Sequence, residues 1–198
     1  MRVLGKRSER RRLLTSPRPK HPKFFMALIA DARVAAARSG ERHEFGSPLA
    51  AFLQALRLMW VSDAFFALAL YRLQARSQAL RLPVVPRLAH HWAMMRAQLC
   101  IGDPVMMEPG VSIPEGQVVI DGFVRVHSGV TICPRVTVGL KGGIYRGARI
   151  ERDVLIETGA KVIGPVTIGA GARICANAVV LEDVPAGATA LGIPARVS

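Results

Sequence analysis

Acidic residues are scarce in this chain of 198 residues: 14 Asp and Glu stand against 27 Lys and Arg, a formal net charge of +13. Cysteine is scarcer still. Cys100, Cys133 and Cys175 show no CxxC or other metal-ligand spacing, which argues against a zinc site or a disulfide framework. An odd cysteine count without a secretory signal points to a reducing cytoplasm. The N-terminal segment lacks the apolar core and small-residue cleavage site of such a signal. An unbroken apolar run of membrane length is also missing. The most apolar stretch, 49–71 (LAAFLQALRLMWVSDAFFALALY), contains Arg57 and Asp63, each costly at a bilayer centre. Buried helices fit it better, and no transmembrane segment is expected.

What the chain does have is a period. An aliphatic residue falls at every sixth position from Ile120 through Val126, Ile132, Val138, Ile144, Ile150, Ile156, Val162, Ile168 and Ile174 to Val180. Four residues after each sits a second small or branched residue, from Val124 to Val184, with Gly142 the smallest. A short fixed period signals a solenoid, whose repeats bury their apolar faces only by stacking on neighbours. Six is the period of hexapeptide β-helices. The expected fold is therefore mainly β, a parallel β-helix with a helical segment in front. If three hexads close one coil, residues 18 apart stack, and Gly122, Leu140, Thr158 and Ala176 form one ladder. Cys133 and Cys175 then fall on different corners, Tyr145 stacks on His127, and the segment 139–149 is open to two readings, a continued coil or a loop. The step from Ile113 to Ile120 is seven residues, so a bulge is expected at Gln117 or a neighbour.

Four parts follow along the chain. Residues 1–23 hold nine Lys/Arg against one Glu, a basic arm with the composition of a solvated, disordered tail. Such an arm can touch nucleic acid or an anionic membrane, but no nucleic-acid partner is expected. Residues 24–104 read as helical, with a stop at Gly40 and an N-cap followed by proline at Ser47-Pro48. Phe52, Leu56, Met59 and Trp60 mark one helix face, Ser62 or Asp63 caps a new helix, and Leu88, Trp92, Met95 and Leu99 form a later stripe. Residues 105–185 carry the hexads, and 186–198 form a Pro- and Gly-rich cap over the open edge.

Several segments carry a family likeness: RLAHHWAMMRAQLCIGDP, MEPGVSI, VVIDG, GVTICPRVTVG and ETGAKVIGPVTIGAGARICANAVVLEDVPAGATALGIPAR. Over roughly 48–196 the chain resembles the hexapeptide-repeat acyltransferases and, within them, the serine O-acetyltransferase branch. The resemblance implies a left-handed helix, a homotrimer that could pair into a dimer of trimers, and acetyl-CoA as co-substrate in a groove between subunits. No permanent cofactor or metal is implied. It assigns Leu140, Thr158 and Ala176 to the pantetheine edge, with Gly159, Lys161 and Arg173 near the phosphate-bearing end. If serine is the acceptor, O-acetylserine forms on the route to cysteine. A sugar or other hydroxyl acceptor is the alternative, and a catalytically silent trimer is a third reading.

The family's catalytic histidines are missing. Its Asp-His pair falls on Asp121-Gly122, its RHPKI stretch on RGARI with Gly147 at the histidine, and its substrate-side Asp near Met106, with Glu108 the closest carboxylate. The coil keeps one histidine, His127, at a turn. Imidazole titrates near neutrality, which suits a base that removes a hydroxyl proton, so His127 is the candidate catalytic residue. Glu151 and Glu157 are weaker candidates, and His90 and His91 read as packing or surface residues. One histidine excludes a three-histidine metal site of the carbonic anhydrase type. Helices in place of a Gly-rich α/β domain exclude a sugar nucleotidyltransferase. The chain stops directly after the PAR motif, so docking of a C-terminal tail into a sulfhydrylase is not expected.

Overall fold

The computed structural model describes residues 21–38, 40, 47–80, 82, 84–142 and 144–198. Nearly all of the basic arm lies outside them. Four helices come first: α1 Phe24–Arg38, α2 Pro48–Val61, α3 Asp63–Ala79 and α4 Val85–Ala97. The caps fall where the sequence puts them. Ser47 Oγ accepts from Ala50 N (3.1 Å) ahead of Pro48, and Ser62 Oγ accepts from Phe65 N (3.2 Å), dividing α2 from α3.

The apolar stripes turn the other way from a simple core reading. On α2 the buried face is Ala51, Ala55 and Leu58, while Phe52, Leu56 and Trp60 are exposed. On α4 Ala89, Ala93 and Ala97 are buried, while Leu88, Trp92 and Met95 are exposed. Small residues let these helices approach their neighbours closely and leave the large side chains outside.

After α4 the chain visits three parallel sheets in turn. The first contains β1 Cys100–Ile101, β3 Val119–Ile120, β6 Thr137–Gly139, β9 Lys161–Ile163 and β12 Val179–Val180. The second contains β2 Met106–Met107, β4 Phe123–Val126, β7 Arg146–Ile150 and β10 Thr167–Ile168. The third contains β5 Thr131–Ile132, β8 Leu155–Ile156, β11 Arg173–Ile174 and β13 Thr189–Leu191, closed by β14 Arg196–Val197 as an antiparallel partner. Stacking already begins at Cys100, which pairs with Val119. Ten of the eleven sixth-position aliphatics are buried to 1% exposure or less, so they are the core of this three-sided coil.

The exception is Ile144, and it corrects the stacking scheme. Val119 pairs with Thr137 and Lys161 with Val179, each 18 residues on, but Thr137 pairs with Lys161, which is 24. Thr131–Leu155 and Arg125–Arg149 show the same step. One hexad, about 140–145, is therefore looped out of the coil. Its inner position is Gly142, which has no side chain to bury, and it carries Lys141 beside it. Three expectations fall with this. The ladder Gly122–Leu140–Thr158–Ala176 splits, Tyr145 lies beside Phe123 rather than over His127, and Cys133 and Cys175 share a corner with Glu157 between them. The extra residue before Ile120 sits where expected: Gln117 has φ +62° and donates its N–H to Ala97 O (2.7 Å) at the end of α4.

The helices are fastened to the coil by a buried ion pair. Arg72 of α3 donates through Nε to Asp31 Oδ2 (2.9 Å) and through Nη2 to Asp31 Oδ1 (3.1 Å), the two side chains being 3% and 1% exposed. Arg72 also reaches Met107 O (2.6 Å) and Glu108 O (2.7 Å), and Asp31 Oδ1 accepts from Gly110 N (2.8 Å) and Val111 N (3.1 Å). Burial pushes the Asp31 carboxyl up, Arg72 and the two amides pull it back, and the balance leaves it above the ordinary value.

Candidate functional site

Three rows of turns run along the coil, one at each corner, and the candidate residues divide among them. The corner between the third and first sheets carries Pro134, Thr158 and Ala176 in one row and Arg135, Gly159 and Asn177 in the next: Gly159 N donates to Pro134 O (3.0 Å) and Asn177 N to Thr158 O (3.0 Å). Glu157 holds this edge together. Its Oε1 accepts from Arg173 Nε (2.6 Å) and its Oε2 from Ala176 N (2.9 Å), and the bond keeps the Arg173 guanidinium above its ordinary pKa. Lys161 Nζ lies 3.4 Å from Gly159 O. Gly159 has φ +75°, as Arg135 and Asn177 of the same row have φ +61° and +57°, and a Cβ there would meet Asn177 Oδ1, a side-chain end that would have to turn aside. Thr158, Gly159, Lys161, Arg173 and Ala176 are thus brought together as a set.

Beside this edge lies a groove of about 890 Å³, where the α2–α3 break and the end of α4 face the coil. Ser62, Asp63, Arg96, Gln98, Glu115, Gln117, Cys133, Arg135 and Thr158 line it. Asp63 pairs with Arg96, whose guanidinium lies 5.5 Å from the Phe66 ring centroid, and Arg135 Nε donates to Gln117 Oε1 (3.1 Å). Burial pushes the Cys133 thiol up. A groove between helices and coil needs three-dimensional contacts that no hexad count supplies; the one local signal for it is the extra residue before Ile120.

The second corner, between the first and second sheets, holds Leu140, away from the set above. Its side chain covers Gly122, where a Cβ would collide with Leu140 Cδ2, and Gly122 has φ +88°. Gly147 is buried in β7, and a Cβ there would come within 2.5 Å of Val124 Cγ2. At both positions where the family resemblance expects a histidine, a side chain would therefore displace its neighbour, Leu140 over Gly122 and Val124 against Gly147.

The third corner holds His127. Its Nδ1 donates to Glu108 Oε1 (3.0 Å), while Glu108 Oε2 accepts from Ser128 N (3.1 Å). That contact orients the ring, with Nδ1 toward Glu108 and Nε2 toward Glu151. Nε2 is buried without a hydrogen-bond partner, with Glu151 Oε2 3.7 Å away and Glu151 Oε1 held by Arg149 Nε (2.5 Å). An imidazole oriented through one nitrogen is part of what a general base requires, and the other nitrogen, Nε2, is enclosed within this chain beside Glu151. Within one chain, however, His127 and the Thr158 edge lie on different corners. No cluster of three or more His, Cys, Asp or Glu suited to a metal occurs among the described residues.

The bacterial transferase hexapeptide pattern (six repeats) matches residues 147–182, within the stacked hexads, and so marks the hexapeptide-repeat class. Serine acetyltransferase of Synechococcus elongatus is 31% identical over 186 residues, covering 88% of this chain and 68% of that protein. The chain belongs to the serine acetyltransferase family and is an acyltransferase of that kind. Serine acetyltransferase of Bacillus subtilis is 46% identical over 83 residues, 40% of this chain and 38% of its own. The soybean serine acetyltransferase apoenzyme superposes with a TM-score of 0.74 at 26% identity, covering 87% of this chain and 67% of that one. This chain therefore spans about two thirds of the Synechococcus and soybean proteins and little over a third of the Bacillus one.

Proposed function

We propose that this protein is an acetyl-CoA-dependent O-acetyltransferase whose acceptor is the hydroxyl of L-serine, giving O-acetylserine and CoA for cysteine synthesis in the cytoplasm. Family membership carries the proposal, and a soybean relative, 27% identical, has been solved complexed with serine. The coil is left-handed in this reading, as in that family. Pantetheine lies along Thr158, Gly159 and Ala176, where small residues and exposed amides admit a thin amide-bearing ligand. Lys161 and Arg173 face the phosphates, and the acceptor enters the adjoining groove. Leu140 drops out of the coenzyme edge because it lies on another corner.

For the base we propose His127, supported by the Glu108 contact that orients the ring and by Nε2, a buried nitrogen without a hydrogen-bond partner. Nε2 takes the hydroxyl proton as the oxygen attacks the thioester carbonyl. The tetrahedral intermediate collapses, and the coenzyme sulfur leaves and takes that proton. His127 lies off the coenzyme corner of its own chain, so it serves a neighbour's, and the working unit is a closed ring, a homotrimer.

The test is thiol release from acetyl-CoA with L-serine. Saturable release is expected, and His127→Ala should lower kcat by about 10²-fold or more with KM for acetyl-CoA unchanged. Mixed oligomers of His127→Ala and Thr158→Trp should regain activity that neither has alone. Release with unaltered kcat in His127→Ala would remove the base assignment. No release with serine, but release with a sugar hydroxyl, would favour the second reading, which the absence of histidine at Gly122 and Gly147 supports as a sign of a rebuilt acceptor pocket. No release with any hydroxyl acceptor would leave a silent trimer.

A further inference from the structure

The chain turns by 116° where α2 and α3 meet at Ser62. Against that break, between α1 and coil residues 111–114, lies a further cavity of about 270 Å³. Its walls come from three parts of one chain, so it persists whatever covers the outer faces of the helices. Leu58, Phe65, Leu68, Val111 and Ile113 line it and are all buried. Protein interiors are close-packed, with few voids larger than a water molecule. This one has room for about nine, at the ~30 Å³ that a water takes in the liquid. A void of that size forfeits contacts on every wall, and an occupant restores them.

The polar groups on its lining are donors. Ser112 is 3% exposed, and its hydroxyl makes no hydrogen bond among the described residues. A buried hydroxyl left in that state is costly. Arg38, in the last turn of α1, also lines the cavity, and its guanidinium has no bond or ion pair among the described residues. Its charge reaches the neighbouring groove, where burial pushes the Cys133 thiol up and Arg38 pulls it back. Ser62 Oγ accepts from Phe65 N and keeps its own proton to donate. Asp31 is the carboxylate on the lining, and Arg72 and two amides already hold it, so no free negative charge there opposes an anion.

Apolar walls with convergent donors and no free acceptor suit one kind of small molecule. We infer that the cavity is a binding site for a monocarboxylic acid of about benzoate's size, its carboxylate accepting from Arg38 and Ser112 and its apolar body lying against Leu58, Phe65 and Leu68. The site is separate from the coenzyme edge and shares only Ser62 and Pro114 with the groove beside that edge. Binding there does not depend on which acceptor is acetylated.

The probe is benzoate, titrated into the full chain by calorimetry and by ligand-detected NMR, with benzyl alcohol as its uncharged counterpart. One benzoate per chain is expected, with Kd below about 1 mM. Benzyl alcohol should bind about tenfold more weakly or worse, and saturating CoA should leave the benzoate isotherm in place. Arg38→Gln, at an exposed helix end, should keep the circular dichroism spectrum and lower benzoate affinity by about tenfold or more. Ser112→Ala should lower it by about fivefold. Ala35→Leu, which fills the space from the α1 wall, should abolish binding and raise the melting temperature. Three results would overturn the inference. The first is no saturable binding of benzoate below about 1 mM. The second is binding that CoA displaces, because the benzoate would then sit at the coenzyme edge. The third is binding that Arg38→Gln leaves unaltered, or that benzyl alcohol equals, because the charge would then have no part in it.

Discussion

Replacing Arg72 by methionine should cost this protein more than any surface change, and the structure says how much. The guanidinium makes two bonds to Asp31 and one each to the carbonyls of Met107 and Glu108, in a setting where both side chains are almost wholly enclosed. Arg72→Met leaves a buried carboxylate with two backbone amides for company and two carbonyls with none. Breaking a buried pair from one side costs about 3–5 kcal/mol, which is about 2 M in urea midpoint at a slope of about 2 kcal/mol/M. Asp31→Leu should cost a similar amount. The double variant should cost about 4–6 kcal/mol, below the sum of the singles but not near zero. An apolar pair cannot satisfy the four backbone groups of 107–111 that the ions now hold.

The pH dependence carries a sign. Asp31 already lies above its ordinary pKa through burial, and loss of Arg72 removes its main opposing influence, so its folded pKa rises further. A carboxyl whose folded pKa exceeds its unfolded one lends stability that is full below the unfolded pKa and is lost as pH rises through the folded pKa. The deficit of Arg72→Met relative to the parent should therefore grow as pH rises through the parent's own raised Asp31 pKa and level off above the variant's still higher one. Urea melts followed by circular dichroism at several pH values decide it. A midpoint shift below about 0.5 M at neutral pH, or a deficit that shrinks as pH rises, would refute the reasoning.

Gly159→Ala must place a side chain at φ +75° and against Asn177; we expect a loss of about 1–2 kcal/mol in thermal or urea stability and weaker acetyl-CoA binding by calorimetry. Gly147→His should not create a serine acetyltransferase with the family's usual base, because its Cβ already meets Val124; a lower melting temperature without a gain in thiol release is the expected pair of readings. Glu108→Gln keeps the shape beside His127 but gives up a charge-assisted bond, and should lower kcat by about tenfold or more while leaving KM for acetyl-CoA unchanged; an unaltered kcat would separate Glu108 from the chemistry.

The coil was legible because burial leaves a periodic trace: each inward aliphatic at a sixth position fills the same place in a repeating core, and ten of the eleven do so. The caps at Ser47 and Ser62 were legible for a local reason, a side-chain oxygen answering an amide three residues on. Ile144 was not, since a looped-out segment of six keeps the period while leaving the stack. That miss moved Leu140 away from Thr158 and set Cys133 and Cys175 on one corner. The Asp31–Arg72 pair was equally hidden, because two charges 41 positions apart signal nothing until the helices are docked. The outward faces of α2 and α4 misled for a related reason: periodicity reveals that a face is apolar, but the alanines opposite decide which side meets the protein.

The looped-out hexad has one more implication. The coil registers both ends of the loop: Gly139, whose carbonyl accepts from Gly164 N, Leu140, which lies over Gly122, and Tyr145 and Arg146, which bond to and pair with Phe123. Among the described residues between, Lys141, Gly142 and Ile144 pair with no strand above or below. The loop's length and lettering there are free to drift while Thr158, Gly159 and Ala176 keep their corner, so a lineage could rewrite this stretch to suit a new acceptor without refolding the column that carries it.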